Sequence, residues 1–439
     1  MRVRVEAERV VLGDGSAGRR LLEHVRTPLH RDGYALAGSS AFTAVAGMLY
    51  WIVAAKSYDA HAVGINSALI SSMMFLAGIA GLNLPNIVVR FLPGVGRRTT
   101  RVIAGAYALT AVAAILAIVV FALGVGEWAP RLRFLRSDGA LLLWFGVSTV
   151  AWSLFVIQDS VLTALDRAVW VTVENAVFSL VKLGLLVAAA VLLPVYGIFV
   201  SWTVGMLGAV AVVNTLIFAR LARRPRASAP DATFAPRDRA FRRYFAADYV
   251  ISIAWVSATN LMPVIVTAVA GATTNAYYAL AWAVAVPLYA LVMALSTALL
   301  LHGTRDPAAL PALARKAGRQ AGMVVVPLVV GMVALAPWLL RLFGAQYADH
   351  STTLLRLLVA GVLPYLALSL TMSMARVRRR LRPAVAALIA QAVLALGSVA
   401  PLLHALGVVG AGVAWLGSLS IVALALGVRE LRGLGRAGS

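Results

Sequence analysis

The sequence predicts an all-α polytopic membrane protein of about 12 transmembrane helices, arranged as two parallel six-helix bundles. The prediction rests on recurring apolar stretches, the one-sided placement of basic residues, and two related pairs of turns. Apolar stretches of roughly twenty residues recur from Gly33 to Val428, and short arginine-rich loops separate most of them. A helix crossing the hydrocarbon core needs about 20 apolar residues, and no soluble fold needs that length a dozen times over. The composition agrees, at 61% hydrophobic and 13% charged. The spans are expected at 33–54, 62–92, 102–124, 139–163, 171–193, 196–219, 244–268, 274–300, 321–342, 353–375, 383–404 and 408–428.

In chain order, residues 1–32 form an N-terminal segment with no apolar run, so no cleavable signal peptide is expected. Leu21, Leu22, Val25 and Leu29 there suit either a short interfacial helix or a basic tail. Residues 33–219 form a first six-helix lobe, and 244–428 form a second. Between them lies a linker, 220–243, rich in Arg, Pro, Ala and Asp, and a tail, 429–439, follows. An even number of crossings puts both termini on one side. The loops of that side carry 31 Lys and Arg against six opposite: Lys56, Arg131, Arg133, Arg136, Arg341 and Arg356. The positive-inside rule therefore predicts a plasma-membrane protein with both termini cytoplasmic. Arg131, Arg133 and Arg136 run against the rule and are expected to cap an interfacial turn after Pro130.

The net charge of +22 would suggest nucleic acid in a soluble chain, but here cationic loops orient the helices and no nucleic-acid partner is expected. There are no cysteines, and the six histidines show no ligand spacing, which leaves no disulfide, thiolate catalysis, metal or other cofactor to expect. No GxxxxGK[ST] loop is present, so ATP hydrolysis by this chain is excluded.

The halves look related. Ala60-His61-Ala62-Val63-Gly64-Ile65-Asn66-Ser67-Ala68 has a counterpart in Thr274-Asn275-Ala276-Tyr277-Tyr278-Ala279-Leu280-Ala281-Trp282, and Ala164-Leu165-Asp166-Arg167 has one in Ala375-Arg376-Val377-Arg378. The offsets are nearly equal. Repeats with an even number of spans insert in the same orientation, about an axis along the membrane normal. Two such bundles facing each other form a cleft that rocking can open alternately to each side.

The segment Ala62-Val63-Gly64-Ile65-Asn66-Ser67-Ala68-Leu69-Ile70, followed by Ala80-Gly81-Leu82-Asn83-Leu84-Pro85-Asn86-Ile87-Val88-Val89-Arg90-Phe91-Leu92-Pro93, resembles the second-span signature of polysaccharide and lipid-linked oligosaccharide flippases. Leu342-Phe343-Gly344-Ala345-Gln346-Tyr347-Ala348, ahead of Leu354-Leu355-Arg356-Leu357-Leu358, resembles that family's connection between spans 9 and 10. These flippases belong to the multidrug/oligosaccharidyl-lipid/polysaccharide (MOP) superfamily. The resemblance implies a non-enzymatic transporter that flips or exports an isoprenoid-pyrophosphate-linked glycan for cell-surface polysaccharide. It also implies membrane lipids, and a glycan polymerase or glycosyltransferases, as partners.

An ionisable residue deep in a span is a functional candidate, because holding it there costs several kcal/mol. Lys182 lies 11 residues into span 5, roughly 17 Å deep at about 1.5 Å per residue. That is near the midplane and beyond the reach of snorkelling. Two roles fit: a cation lining the cleft, or a member of a structural network with Glu174. Eight positions of helix leave Lys182 and Glu174 on one broad face without direct contact. Arg90 ends a charge-free run too long for one straight crossing, so span 2 must tilt, bend near Gly81–Pro85, or emerge. At the inner mouth Arg90 is either a snorkelling terminal residue or, as the resemblance suggests, a bidentate partner for pyrophosphate. Asp159 and Asp166, with Gln158 beside them, and Asp248, just after Arg242 and Arg243, are expected to pair with neighbouring arginines. A proton or cation site at Asp159, Glu174 or Asp248 is the sharper alternative. Asn66, Asn83, Asn86, Asn260 and Gln391 either line a polar cavity or bond between helices.

Two other functions compete. An ion-coupled multidrug or metabolite antiporter of the same superfamily would need a membrane acid; acids in span 1 are frequent in such antiporters, and this span 1 has none. A membrane glycosyltransferase would need carboxylates on sizeable outer loops, and Asp59, Glu127, Asp138 and Asp349 sit on short ones. The topology is open to direct test in this cysteine-free chain. Ser228→Cys should react only with membrane-permeant thiol reagents and Thr273→Cys with impermeant ones. The reverse sidedness would overturn the orientation.

Overall fold

The computed structural model describes residues 28–222, 239–305, 310–377 and 382–437. The expected interfacial helix before Pro28, the middle of the 220–243 linker and Arg378 lie outside them. In chain order the helices are α1 (Pro28–Ser57), α2 (Ala60–Ala80), α3 (Leu84–Phe91), α4 (Thr99–Trp128), α5 (Phe134–Ser137), α6 (Gly139–Ala164), α7 (Ala168–Leu192), α8 (Gly197–Leu216), α9 (Arg239–Ala270), α10 (Ala272–Arg305), α11 (Leu310–Arg341), α12 (Ala345–Ala360), α13 (Val362–Val377), α14 (Arg382–Leu406) and α15 (Val409–Ala437). Among the described residues, eleven helical segments are long and apolar enough to cross a membrane, α12 and α13 counting as one, and Phe42–Ser57 of α1 adds a shorter apolar helix. The all-α expectation holds among the described residues. Lipid solvation explains surfaces that water would not tolerate: Val191 is 85% exposed, Leu192 75% and Leu143 70%.

Local chemistry starts and stops these helices. The Asp59 carboxylate accepts the Ala62 amide at 2.6 Å and caps α2. Asp138 accepts the amides of Ala140 and Leu141, each at 3.0 Å, and caps α6. The long second span breaks where the sequence suggested a bend. Leu82 and Asn83 adopt left-handed backbone (φ 48° and 58°), and Pro85 starts α3 in its first turn. The tenth span begins eight residues earlier than expected, at Ala345, and is interrupted at Gly361. The turn expected after Pro130 is a 3-10 turn over Pro130–Leu132 followed by α5.

The helices pack in two groups. Before the linker, α1 packs on α7, α7 on α8, and α2, α3 and α4 on α6. After it, α9 packs on α14, α14 on α15, α11 on α12, α10 on α13, and α12 on α15. Between the groups α2 is wedged against both α9 and α10, while α1 touches α10 more lightly. One continuous buried core includes residues of both groups, with Tyr50, Met73 and Phe145 on one side and Met262, Tyr278 and Trp415 on the other. A smaller cluster of Val88, Ile103, Ile157, Val161 and Ile217 seals one end of the first group.

The α2 wedge depends on side-chain size. A β-carbon at Gly64 would collide with the Ala272 carbonyl, and one at Gly78 would lie 2.6 Å from a methyl of Val256. Asn275 Nδ2 donates to the Gly64 carbonyl at 2.8 Å and fixes the contact. Small residues serve this purpose in membranes, where helix association depends on close packing rather than on water exclusion. Gly64→Val should force α2 from α10 and cost about 1–3 kcal/mol, read as a lowered unfolding temperature in detergent. Gly105→Val, where a β-carbon meets nothing within 4 Å, should leave that temperature unchanged.

Candidate functional site

Beside the α2 wedge lies a cavity of about 790 Å³, lined by α1, α2, α7, α8, α9 and α10. Its wall is apolar and aromatic with scattered hydroxyls and amides, including Ser67, Ser71, Thr259 and Asn260. Two of its residues, Pro263 and Pro287, lie inside α9 and α10. Each removes the amide that would have bonded the carbonyl four residues back, at Thr259 and Ala283, and both of those residues also line the wall. Proline thus supplies backbone acceptors to a membrane cavity.

Lys182 is the charged residue of this lining. It is buried, and its Nζ lies 3.7 Å from the ring centre of Trp202, 4.8 Å from Phe178 and 5.0 Å from Tyr50. Gly205 of α8 lets α7 approach, since a β-carbon there would meet the Lys182 backbone at 3.5 Å. The Tyr50 hydroxyl donates to the Ile198 carbonyl at 2.7 Å and lies 2.9 Å from Ser201 Oγ, which fixes that ring. A desolvated cation–π contact contributes about 2 kcal/mol, whereas a cation at this depth costs at least as much and up to several times more. The cage therefore holds the ammonium in place without neutralising it. Among the described residues no carboxylate pairs with Lys182.

The acids lie behind the same wall. Glu174 and Lys182 do not pair; the Glu174 carboxylate accepts from Gln158 Nε2 of α6 instead. Asn214 of α8 donates to Gln158 Oε1 at 2.7 Å, and Asn175 Nδ2 stands 3.5 Å from Asp159 Oδ2. Glu174 Oε2, Asp159 Oδ1, Asn214 Oδ1 and the Tyr107 hydroxyl are buried without a hydrogen-bond partner among the described residues. The arginine partners expected for Asp159 and Asp166 are absent among the described residues; at Asp159 α7 brings the Asn175 amide rather than a cation. Asn175 lines the cavity and reaches Asp159, linking the two regions.

Asp248 has a different role. It pairs with Arg376 of α13 at 3.2 Å rather than with Arg243, the side chain of Arg242 lying outside those described, and it accepts from Asn86 of α3 at 3.1 Å. Asn86 also donates to Asn83 Oδ1 at 2.7 Å, and Asn83 Nδ2 reaches the Phe245 carbonyl at 3.3 Å. The Tyr249 hydroxyl donates to the Ile79 carbonyl at 2.6 Å. These contacts tie the two groups together at the α2–α3 break. Arg90 is exposed nearby, 5.7 Å from the Phe91 ring centre, and is not part of the cavity lining. Asn66 is fully used in structure: its amide donates to the carbonyls of Ala62 and Val195, and its oxygen accepts the Phe199 amide. Of the sequence candidates, Lys182 and Asn260 meet at the cavity. The sequence missed Trp51, Trp202 and Trp282 in the wall, because they come from three separate helices and share no spacing.

No protein-family model and no curated protein matches the sequence. Solved structures do share the fold. An inward-facing multidrug resistance MATE family transporter of the MOP superfamily aligns with TM-score 0.67 at 14% identity, over 91% of this chain and 96% of that one. The lipid II flippase MurJ, in an inward closed conformation, aligns with TM-score 0.63 at 15% identity, over 88% and 85%. A MATE structure in the straight conformation aligns with TM-score 0.58 at 16% identity, over 92% and 96%.

The tie at Asp248 makes a quantitative expectation. Asp248→Ala should strand Arg376 and Asn86 and lower stability by about 1–3 kcal/mol. Arg376→Ala should cost a similar amount, and the double variant less than the sum of the two. Additive effects in a detergent unfolding series would separate the two residues.

Proposed function

We propose that this chain is a transporter that carries the anionic headgroup of a lipid-linked oligosaccharide across the plasma membrane by alternating access of the two helical groups, in service of cell-surface polysaccharide. The observation that carries the reading is Lys182, an aromatic-caged cation without a carboxylate partner among the described residues, on a cavity between the groups. A phosphate or pyrophosphate is the complementary charge. Asn260, the hydroxyls and the proline-freed carbonyls offer hydrogen bonds to sugar hydroxyls, and Trp51 and Trp282 offer flat apolar faces. The shared fold with a protein named as a lipid II flippase supports this direction. Arg90, exposed at the mouth, would act on the approaching headgroup rather than inside the cavity. Both termini would be cytoplasmic, and glycosyltransferases or a glycan polymerase would act before or after the transporter.

A second reading, an ion-coupled multidrug or metabolite antiporter, is favoured by Asp159 and Glu174. Each has an oxygen without a partner among the described residues, and Asn175 of the cavity wall reaches Asp159, so they could exchange a proton or a cation. The shared fold with MATE transporters supports it equally. In proteoliposomes with a fluorescent isoprenoid-pyrophosphate sugar, the flippase reading expects translocation by the wild type and at least a tenfold loss in Lys182→Ala at matched protein and unchanged unfolding temperature. Lys182→Arg should keep part of the rate, since charge survives while geometry changes. Extrusion of cationic dyes, unchanged in Lys182→Ala and lost in Asp159→Asn with Glu174→Gln, would establish the antiporter instead.

A further inference from the structure

A second cavity, of about 680 Å³, lies away from the first, between α4, α6 and α8. Every residue lining it is aliphatic or glycine, and several face outward: Leu143 is 70% exposed, Ile115 52% and Val147 44%. It is a groove open to the hydrocarbon, with α4 and α6 as walls and Leu207 and Val210 of α8 as floor. Along α6 the lining runs from Gly139 to Leu154, about 22 Å at a rise of 1.5 Å per residue. One leaflet of hydrocarbon is about 15 Å deep, so a whole acyl chain of that leaflet fits along it.

The groove ends at the arginines that contradict the positive-inside pattern. Two of the three are engaged in the fold. Arg133 Nη2 donates to the Gly126 carbonyl at 3.1 Å at the end of α4, and the Arg131 guanidinium lies against Gly271 in the turn between α9 and α10. Arg136 is exposed, and its side chain has no hydrogen bond or ion pair among the described residues, three positions before the first groove residue. The neighbouring Asp138 carboxylate is occupied with the first amides of α6. Glu127, exposed on the last turn of α4, is the other acid at this end.

We propose that this groove is a binding site for an anionic phospholipid of the leaflet at that end of the bundle, its acyl chain along α6 and its phosphate at Arg136. The site explains why a cation is kept where the topology disfavours one. Phosphate lies at the depth of the helix ends, so an arginine beside Gly139 meets it without leaving the interface. The proposal is independent of what the central cavity carries.

Native mass spectrometry of the full chain in detergent, titrated with phosphatidylglycerol or phosphatidylcholine, tests it. The wild type should retain phosphatidylglycerol at least fivefold better than phosphatidylcholine. Arg136→Gln should erase that preference while leaving the lipid-free unfolding temperature unchanged. Val147→Trp, which fills the groove from an already exposed position, should lower retention of both lipids. Equal retention of the two lipids by the wild type, or an undiminished preference in Arg136→Gln, would overturn the proposal.

Discussion

The close seating of α2 between α9 and α10 is the constraint on which the rest of the structure depends. At Gly64 and Gly78 the missing side chains let α2 reach the second group, and Asn275 locks the upper contact by donating to a backbone carbonyl. Because this wedge brings the groups together along one side, the space beside it, between α1, α7 and α10, remains as the cavity. In a bilayer no hydrophobic effect would restore the contact if a larger residue opened it. The cavity, the caged lysine and the tie at Asp248 all presuppose that wedge.

Charge is distributed so that opposite signs near the midplane do not cancel. Lys182 points into aromatic rings and toward the cavity, while Glu174, on the same helix, turns to the amides of α6 and α8. Had the two met, the pair would have been cheaper to bury than either charge alone. Where an ion pair is formed, at Asp248 and Arg376, it serves a different end: with Asn86 it bridges the two groups at the α2–α3 break.

Much of the fold was legible because membrane insertion is decided locally. A window of twenty apolar residues reports a span whatever surrounds it, without reference to packing. The break at Leu82–Asn83 was legible for the same reason, since a run that long cannot cross straight and Pro85 cannot sit in a helix interior without disturbing it. The partners of the polar side chains were not legible. Arg376 lies 128 positions from Asp248 and Gln158 lies 16 from Glu174, distances at which neighbouring residues in the chain offer no guide.

By itself, then, the sequence determined the class, most of the long apolar helices, and the place of Lys182 along its helix, because each follows from residue type and position along a single helix. It also determined that Lys182 and Glu174 would not touch, from the angle eight residues make around a helix. Only the tertiary structure decided that Lys182 faces the cavity inside a ring of Tyr50, Phe178 and Trp202, that Asn66 is consumed by backbone groups, and that Arg90 stands outside. Those outcomes depend on how one helix is rotated against another. That rotation is set by the shapes of the contacting faces, glycine against carbonyl and ring against ring, and no single helix contains both halves of such a contact.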